Sequence, residues 1–247
     1  MRAKIIAISL AFLSLPTALS CGSVSSQAIA NRPKSSPRGP QQAITDKTLM
    51  ALAKKFAVEP ENEEAVLQEL GRHPRLEILE RLTKLQEASR EETRASFSIA
   101  FLLCNLDYDV ENNKRAVVEA FKRDLHSRHP DSEWEACVLD RLMKKGHKDL
   151  LPVLFDAVEY SDGALSQSLS GFLLEQLRDE PQDFLVQLNR QSKSVRQLVY
   201  SFLAYAEIAP EELNKTVRYL NSVSDSNLDQ TRREILVAIQ QPPPKPL

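Results

Sequence analysis

Glycine is scarce in this chain. Six of its 247 residues are glycine, and beyond residue 42 only Gly71, Gly146, Gly163 and Gly171 remain. Tight hairpins and phosphate-cradling loops both draw on glycine, so the scarcity argues against a β architecture and against a mononucleotide loop. A basic excess is also missing. The formal net charge is −2, which lacks the electrostatic footprint of a nucleic-acid binder. No apolar run is long enough for a permanent membrane span: Ile5 to Leu15, broken by Ser9 and Ser14, falls well short of the roughly 20 residues a bilayer core requires. Catalytic signatures are absent in the same way. The sequence has no Gly-x-Gly-x-x-Gly, Gly-Lys-Ser/Thr, Gly-x-Ser-x-Gly, Ser-x-x-Lys or His-Glu-x-x-His motif.

What is present is enough for a folded core. Hydrophobic residues make up 42% and charged residues 27%, which suits a globular domain and is too apolar for a disordered chain. The charge is unevenly placed. Residues 22–42 carry Arg32, Lys34 and Arg38 and no acid. All 34 acidic residues lie from Asp46 onward, with 27 of the 32 basic ones, so the body is formally −7. A basic tether therefore precedes an acidic body.

The first residues have the layout of a secretory signal: Arg2 and Lys4, a short apolar run, Pro16, then Thr17-Ala18-Leu19-Ser20-Cys21. Ala18-Leu19-Ser20-Cys21 resembles a bacterial lipobox, in which a small residue precedes the cysteine that is lipidated. Ala18 stands where the commonest form has Leu. The resemblance covers residues 1–21 and implies a signal peptide over 1–20 and an acylated Cys21 as the mature N-terminus. The alternative is ordinary signal cleavage, with Cys21 an incidental thiol. Gly22 follows the cysteine where lipoproteins retained at the inner membrane often carry Asp, so the outer membrane is favoured if the cell is Gram-negative. The body would then sit in the periplasm or at the cell surface, with membrane lipid as its first partner.

Residues 21–42 read as the anchor cysteine and a disordered linker rich in Ser, Pro, Gly and Gln. Residues 242–247, Pro-Pro-Pro-Lys-Pro-Leu, read as a disordered tail, since proline cannot continue a helix. Between them, 43–241 is expected to be one all-α domain. Apolar spacing of three and four marks helix after helix, as in Ile78, Leu79, Leu82 and Leu85, or Val117, Val118, Phe121 and Leu125. Prolines 60, 74, 130, 181 and 210 precede periodic stretches, where the first helical turn tolerates them. Gly71 and Gly146 follow such stretches, where a left-handed cap is expected. Asp162 and Asp225 are placed as N-caps. These signals predict about twelve helices: 45–58, 61–71, 74–88, 91–106, 110–128, 131–145, 149–160, 163–178, 181–190, 193–207, 210–222 and 226–240.

The later half is rhythmic. Pro152, Pro181 and Pro210 are each 29 residues apart, and Phe155, Phe184 and Leu213 follow three residues after them. Phe101, Val138, Phe172, Phe202 and Leu236 recur at 37, 34, 30 and 34 residues in the second helices. Over residues 73–240 this is similar to HEAT-like repeats, at the level of pattern. The resemblance implies antiparallel helix pairs stacked as an irregular α-solenoid with no β-sheet; an irregular bundle is the alternative. On a solenoid, second helices could offer a ladder of partner-facing side chains, for which Arg94, Glu135, Arg141, Gln176, Gln197, Tyr200 and Arg232 are the candidates, with Arg178, Tyr205 and Arg233.

Other features are weaker. His126 and His129 are three apart, and Asp131 or Glu133 could add an oxygen, yet a metal needs three or four converging ligands; no metal and no cofactor is expected. Asp107 to Asn113 resembles the start of a calcium loop, but Asn112 stands at the glycine position and Val118 where the bidentate Glu belongs. Cys104 and Cys137, 33 residues apart, could bridge in an oxidising exterior, or both could be buried thiols. Trp134 shares a stripe with Val138 and Leu142 and reads as core. No catalytic residue stands out among the acids. The chain is read as a non-enzymatic, membrane-tethered module that binds or scaffolds a protein of the envelope. An envelope enzyme with an unrecognised carboxylate, marked by a polar cleft and a raised pKa, and a carrier of an apolar ligand are the alternatives.

Overall fold

The computed structural model describes residues 43–129, 131–206 and 208–240, and only the backbone of Tyr205. The segments read from the sequence as signal peptide (1–20), anchor cysteine and linker (21–42) and proline-rich tail (242–247) all lie outside the described residues.

Twelve α-helices and no strand are present among the described residues. In order they are α1 (Asp46–Val58), α2 (Glu63–Leu70), α3 (Arg75–Ala88), α4 (Thr93–Asn105), α5 (Val110–His126), α6 (Ser132–Lys144), α7 (Leu151–Ala157), α8 (Gly163–Asp179), α9 (Pro181–Asn189), α10 (Lys193–Tyr205), α11 (Pro210–Ser222) and α12 (Asp229–Gln240). The expected segments 61–71, 149–160 and 226–240 each begin with a short 3-10 turn, over Pro60–Asn62, Lys148–Leu150 and Ser226–Leu228. The tighter first turn delays the start of the α-helix proper, so α7 begins only at Leu151. None of these helices is long and apolar enough to cross a membrane.

Local chemistry sets the helix ends. Thr45 and Ser192 accept hydrogen bonds from the N–H of Thr48 (3.1 Å) and Val195 (3.2 Å), capping α1 and α10. Asp225 accepts from Asn227 N–H at 2.9 Å. Asp162 stands at the N-cap of α8 in extended backbone, as the sequence places it, although its side chain makes no cap hydrogen bond. Pro181 and Pro210 open α9 and α11, where a missing N–H costs nothing. Gly146 ends α6 at φ +107°, a conformation that L side chains avoid. Gly71 does not behave this way. Its φ is −64°, and the chain leaves α2 through successive tight turns in which Arg72 and His73 donate to Glu69 and Leu70 carbonyls, so no left-handed cap is needed.

The core is densest at α4. Every residue from Phe97 to Cys104 is buried, because α4 packs against α1, α3 and α5 at once and so has no solvent face there. From α5 onward the helices sort into two rows. In one row α5 touches α7, α7 touches α9 and α9 touches α11; in the other, α6 touches α8, α8 touches α10 and α10 touches α12. Cross-contacts α7–α10, α8–α11 and α9–α12 join the rows. The 29-residue rhythm has a direct structural counterpart: Phe155 of α7 and Phe184 of α9 are both fully buried.

The N-terminal helices are tied in by one buried cation. Arg141 of α6 donates to the carbonyls of Ala57 (2.6 Å) and Phe56 (2.9 Å) at the end of α1 and pairs with Glu63 at the start of α2. Its guanidinium lies 4.7 Å from the Phe101 ring centroid, a cation–π position. Burial alone would raise the Glu63 carboxyl, but Arg141 and then Lys145 hold it below the ordinary range.

Candidate functional site

The sequence-derived partner ladder divides on inspection. Gln197 is exposed, Tyr200 and Arg232 are half-buried, and the Arg94 side chain is 53% exposed. Glu135, Arg141 and Gln176 are buried at 0%, 8% and 7% exposure and do not belong to an exposed face. The reason is packing between rows. Spacing identified these positions as off the apolar stripe, but each meets a neighbouring element: Arg141 its carbonyl clamp, Gln176 the buried Asp140, and Glu135 the Asp124 carboxylate of α5.

Two of the surviving ladder residues, Gln197 and Tyr200, line an open groove of about 410 Å³ between α10 and α12. Gln197, Tyr200, Ser201 and Ala204 form one wall; Arg233, Glu234, Val237 and Ala238 form the other. The two helices pack directly, so the groove runs along their seam. Val237 is 55% exposed there, an aliphatic side chain left in water. The Tyr200 hydroxyl is buried beside Glu234, and burial followed by that charge pushes it above its ordinary range. Arg232 points away, donating to Asp229 at 2.8 Å.

A second, polar cleft of about 270 Å³ opens at the start of α4. Lys54 lies on one side, Glu92, Thr93, Arg94 and Ala95 provide the helix end, and Asp124, His129 and Asp131 complete it. Arg94 lies 5.3 Å from the Trp134 ring centroid and pairs with Asp131 at 3.6 Å. Arg123 donates to the Thr93 hydroxyl at 2.9 Å, which fixes the end of α5 to the first turn of α4. Behind Asp124 and Asp131 stands Glu135. It is fully buried, and no hydrogen bond of ordinary geometry reaches either of its oxygens. Burial, then the Asp124 and Asp131 charges, pushes its carboxyl up to about 9, with Arg123 opposing weakly, so Glu135 is neutral at pH 7.

The remaining sequence candidates separate. His126 meets the Tyr160 ring edge-on at 4.6 Å, whereas His129 faces the cleft and accepts from Asp131 N–H at 3.3 Å; the two imidazoles do not converge. Among the described residues no group of side chains is arranged to hold a metal ion. Asp107 and Asp109 both take positive φ (52° and 42°) and turn the chain from α4 into α5, as a helix connection rather than a calcium loop. No disulfide joins Cys104 to Cys137. The Cys104 thiol instead faces the Val110 carbonyl at 3.8 Å in that turn, and burial pushes it up to about 12. Trp134 is half-buried against Phe97, with centroids 4.9 Å apart.

Sequence reasoning passed over Asp124. The available signal was an acid inside the apolar stripe of α5, three residues after Phe121 and seven after Val117. Glu135 carried the same signal between Trp134, Ala136 and Val138. No family model, no curated protein and no solved structure matches this chain.

Proposed function

We propose that this protein is an exported lipoprotein, anchored through Cys21 to a bacterial membrane, whose two-row helical stack is a HEAT-like solenoid that binds and scaffolds another protein of the envelope. The observation that carries the reading is the groove between α10 and α12, where exposed Gln197 and Val237 flank Tyr200 on neighbouring second helices. Tyrosine and aliphatic groups beside an Arg/Glu rim are the composition of a protein-recognition patch. Neighbouring helices of one row form a continuous surface of the kind that takes an extended partner.

In-cell photo-crosslinking tests it. A photoreactive residue at position 197 or 237 is expected to give one and the same adduct, and a control at exposed Leu76 of α3 is expected to give none. Val237→Glu should abolish the adduct formed from position 197. Equal labelling at all three positions, or an adduct indifferent to Val237→Glu, would remove the reading. The anchor has its own test: mass analysis of the mature N-terminus should find a lipid-modified Cys21, and an unmodified end overturns that part.

A second reading, an envelope enzyme, draws on one specific observation. The buried Glu135, its carboxyl pushed up by burial, stands behind a cleft walled by Asp124, and a raised carboxyl beside a second carboxyl group is a feature of acid–base sites. Glu135 itself has no exposed atom to offer a substrate, so Asp124 would have to make the contact. The carrier reading finds no comparable support, since both clefts are open and carry charged walls.

A further inference from the structure

The groove between α10 and α12 has walls made entirely of helix. Gln197, Tyr200, Ser201 and Ala204 recur at three- and four-residue spacing over two turns of α10, and they face the middle turns of α12. All the lining residues lie beyond the first turn of their helix, so their N–H groups are bonded within it. The groove therefore offers no row of donors along which an extended strand could pair. Tyr200 is its one aromatic among the described residues, and it is half-buried, so the stacked aromatics that hold a polyproline segment are missing as well. The small side chains of Ser201, Ala204 and Ala238 instead leave room for a third helix to approach closely, with exposed Val237 at its side.

The charges along this seam are unbalanced. The body as a whole is formally −7, yet α10 carries Lys193 and Arg196 and no acid. Glu234 is the acid that lines the groove, and it is already served. Gln230 donates to it at 3.1 Å, and the Tyr200 hydroxyl first, then Gln230 and the charges of Arg196 and Lys193, hold its carboxyl below the ordinary range. Arg233 is not served in the same way. Its side chain is 73% exposed, and the acid it meets, Asp229 at 3.7 Å, is held more closely by Arg232 at 2.8 Å. Lys193 is exposed one turn before Gln197. An apolar seam whose anion is satisfied and whose cations stand in water is complementary to carboxylates brought from outside.

We propose that the groove seats one acidic amphipathic α-helix of a partner protein, its apolar side chains between α10 and α12 and its flanking Glu or Asp side chains on Arg233 and Lys193. The inference rests on the protein-binding reading of this groove and narrows the partner to one chemistry. The apolar stripe of such a helix repeats every three to four residues, which is the spacing of the α10 wall. The charges on the rim then select which helices are accepted.

In-cell photo-crosslinking of the whole chain, with the joined partner residues identified by peptide mass mapping, tests it. Photoreactive residues at positions 197, 201 and 237 should join a single partner segment, at residues three, four or seven apart and flanked by Glu or Asp. Arg233→Glu combined with Lys193→Glu, both at exposed positions where folding is not at stake, should lower the adduct yield from position 201 at least about fivefold. Arg233→Lys should keep the yield, and changing the mapped partner acids to Lys should restore it in the doubly reversed variant. Joined residues that alternate by two, a segment without acids, or a yield indifferent to the double reversal would each overturn this inference and leave the protein-binding reading standing. No adduct at all, or an adduct to a second copy of this chain alone, would overturn both.

Discussion

Phe155 and Phe184, 29 residues apart in the chain, meet edge to face with ring centroids 5.2 Å apart and an interplanar angle of 87°. They link α7 to α9 within one row of the stack, and both are fully excluded from water. Truncating either leaves a cavity that rigid helix backbones fill poorly. Phe184→Ala should therefore cost about 3–5 kcal/mol in urea unfolding, and Phe184→Leu much less. A Phe184→Ala loss below about 1 kcal/mol would mean that the rows collapse readily and are not held by this contact.

Arg141 replaces hydrophobic packing by a cation at the junction of α1, α2 and α6. Its removal leaves two buried carbonyls without their donor and Glu63 with Lys145 alone. Arg141→Ala should destabilise the chain by about 3 kcal/mol, since breaking a buried pair costs more than the pair contributes. The same substitution should alter acid unfolding. Glu63 titrates lower in the folded chain than its ordinary 4.5, so its stabilisation is complete above that pH and fades as pH falls below it. Stability measured between pH 6 and pH 3 should decline less steeply in Arg141→Ala than in the parent.

Glu135 acts in the opposite sense. Its carboxyl keeps a proton up to about pH 9 in the folded chain but would lose it near 4.5 when unfolded. The unfolded state releases that proton first, so folding is penalised increasingly as pH rises through this window, by at most about 1.4 kcal/mol per pH unit. Glu135→Gln carries no such penalty. Urea midpoints at pH 5, 7 and 9 should show the variant gaining on the parent at each step. Parallel curves would mean that the carboxyl is not buried in its neutral form.

The Cys104 thiol needs a pH near 12 to ionise because it is buried. The thiolate is the reactive species. Iodoacetamide at pH 8 should therefore leave Cys104 unmodified in the folded protein and label it in urea, as read by peptide mass mapping. Rapid labelling without denaturant would show that the α4–α5 corner opens.

Helices were legible because their signals are local. Periodic leucines and phenylalanines, the prolines at 181 and 210, and Asp225 before Ser226 act within one or two turns, so the element list follows from neighbours in sequence. The 29-residue recurrence of Phe155 and Phe184 extended that legibility to one pair of stacked helices. Burial of polar residues was not legible. Arg141 is indistinguishable by spacing from exposed Arg94, and its partners lie 78 to 85 residues away. The polar cleft was hidden for the same reason, since Lys54, Arg94, Asp124 and Asp131 come from four helices or their ends. Of the α10–α12 groove, Gln197, Tyr200 and Arg233 were visible because acids, arginines and tyrosines on the outer side of adjacent helices announce a mixed surface.

The Arg141 clamp also has a consequence for the order of folding. Most contacts here join helices close in sequence, a topology that folds quickly from local pieces. The carbonyls of Phe56 and Ala57 run against this pattern: they wait for a donor made 85 and 84 residues later. During synthesis, α1 to α4 would emerge first with their corner unlatched and the apolar surface of α4 poorly shielded. The chain becomes secure only when α6 arrives, so truncation before Arg141 should yield an aggregation-prone fragment, whereas loss of α11 and α12 would merely shorten the stack.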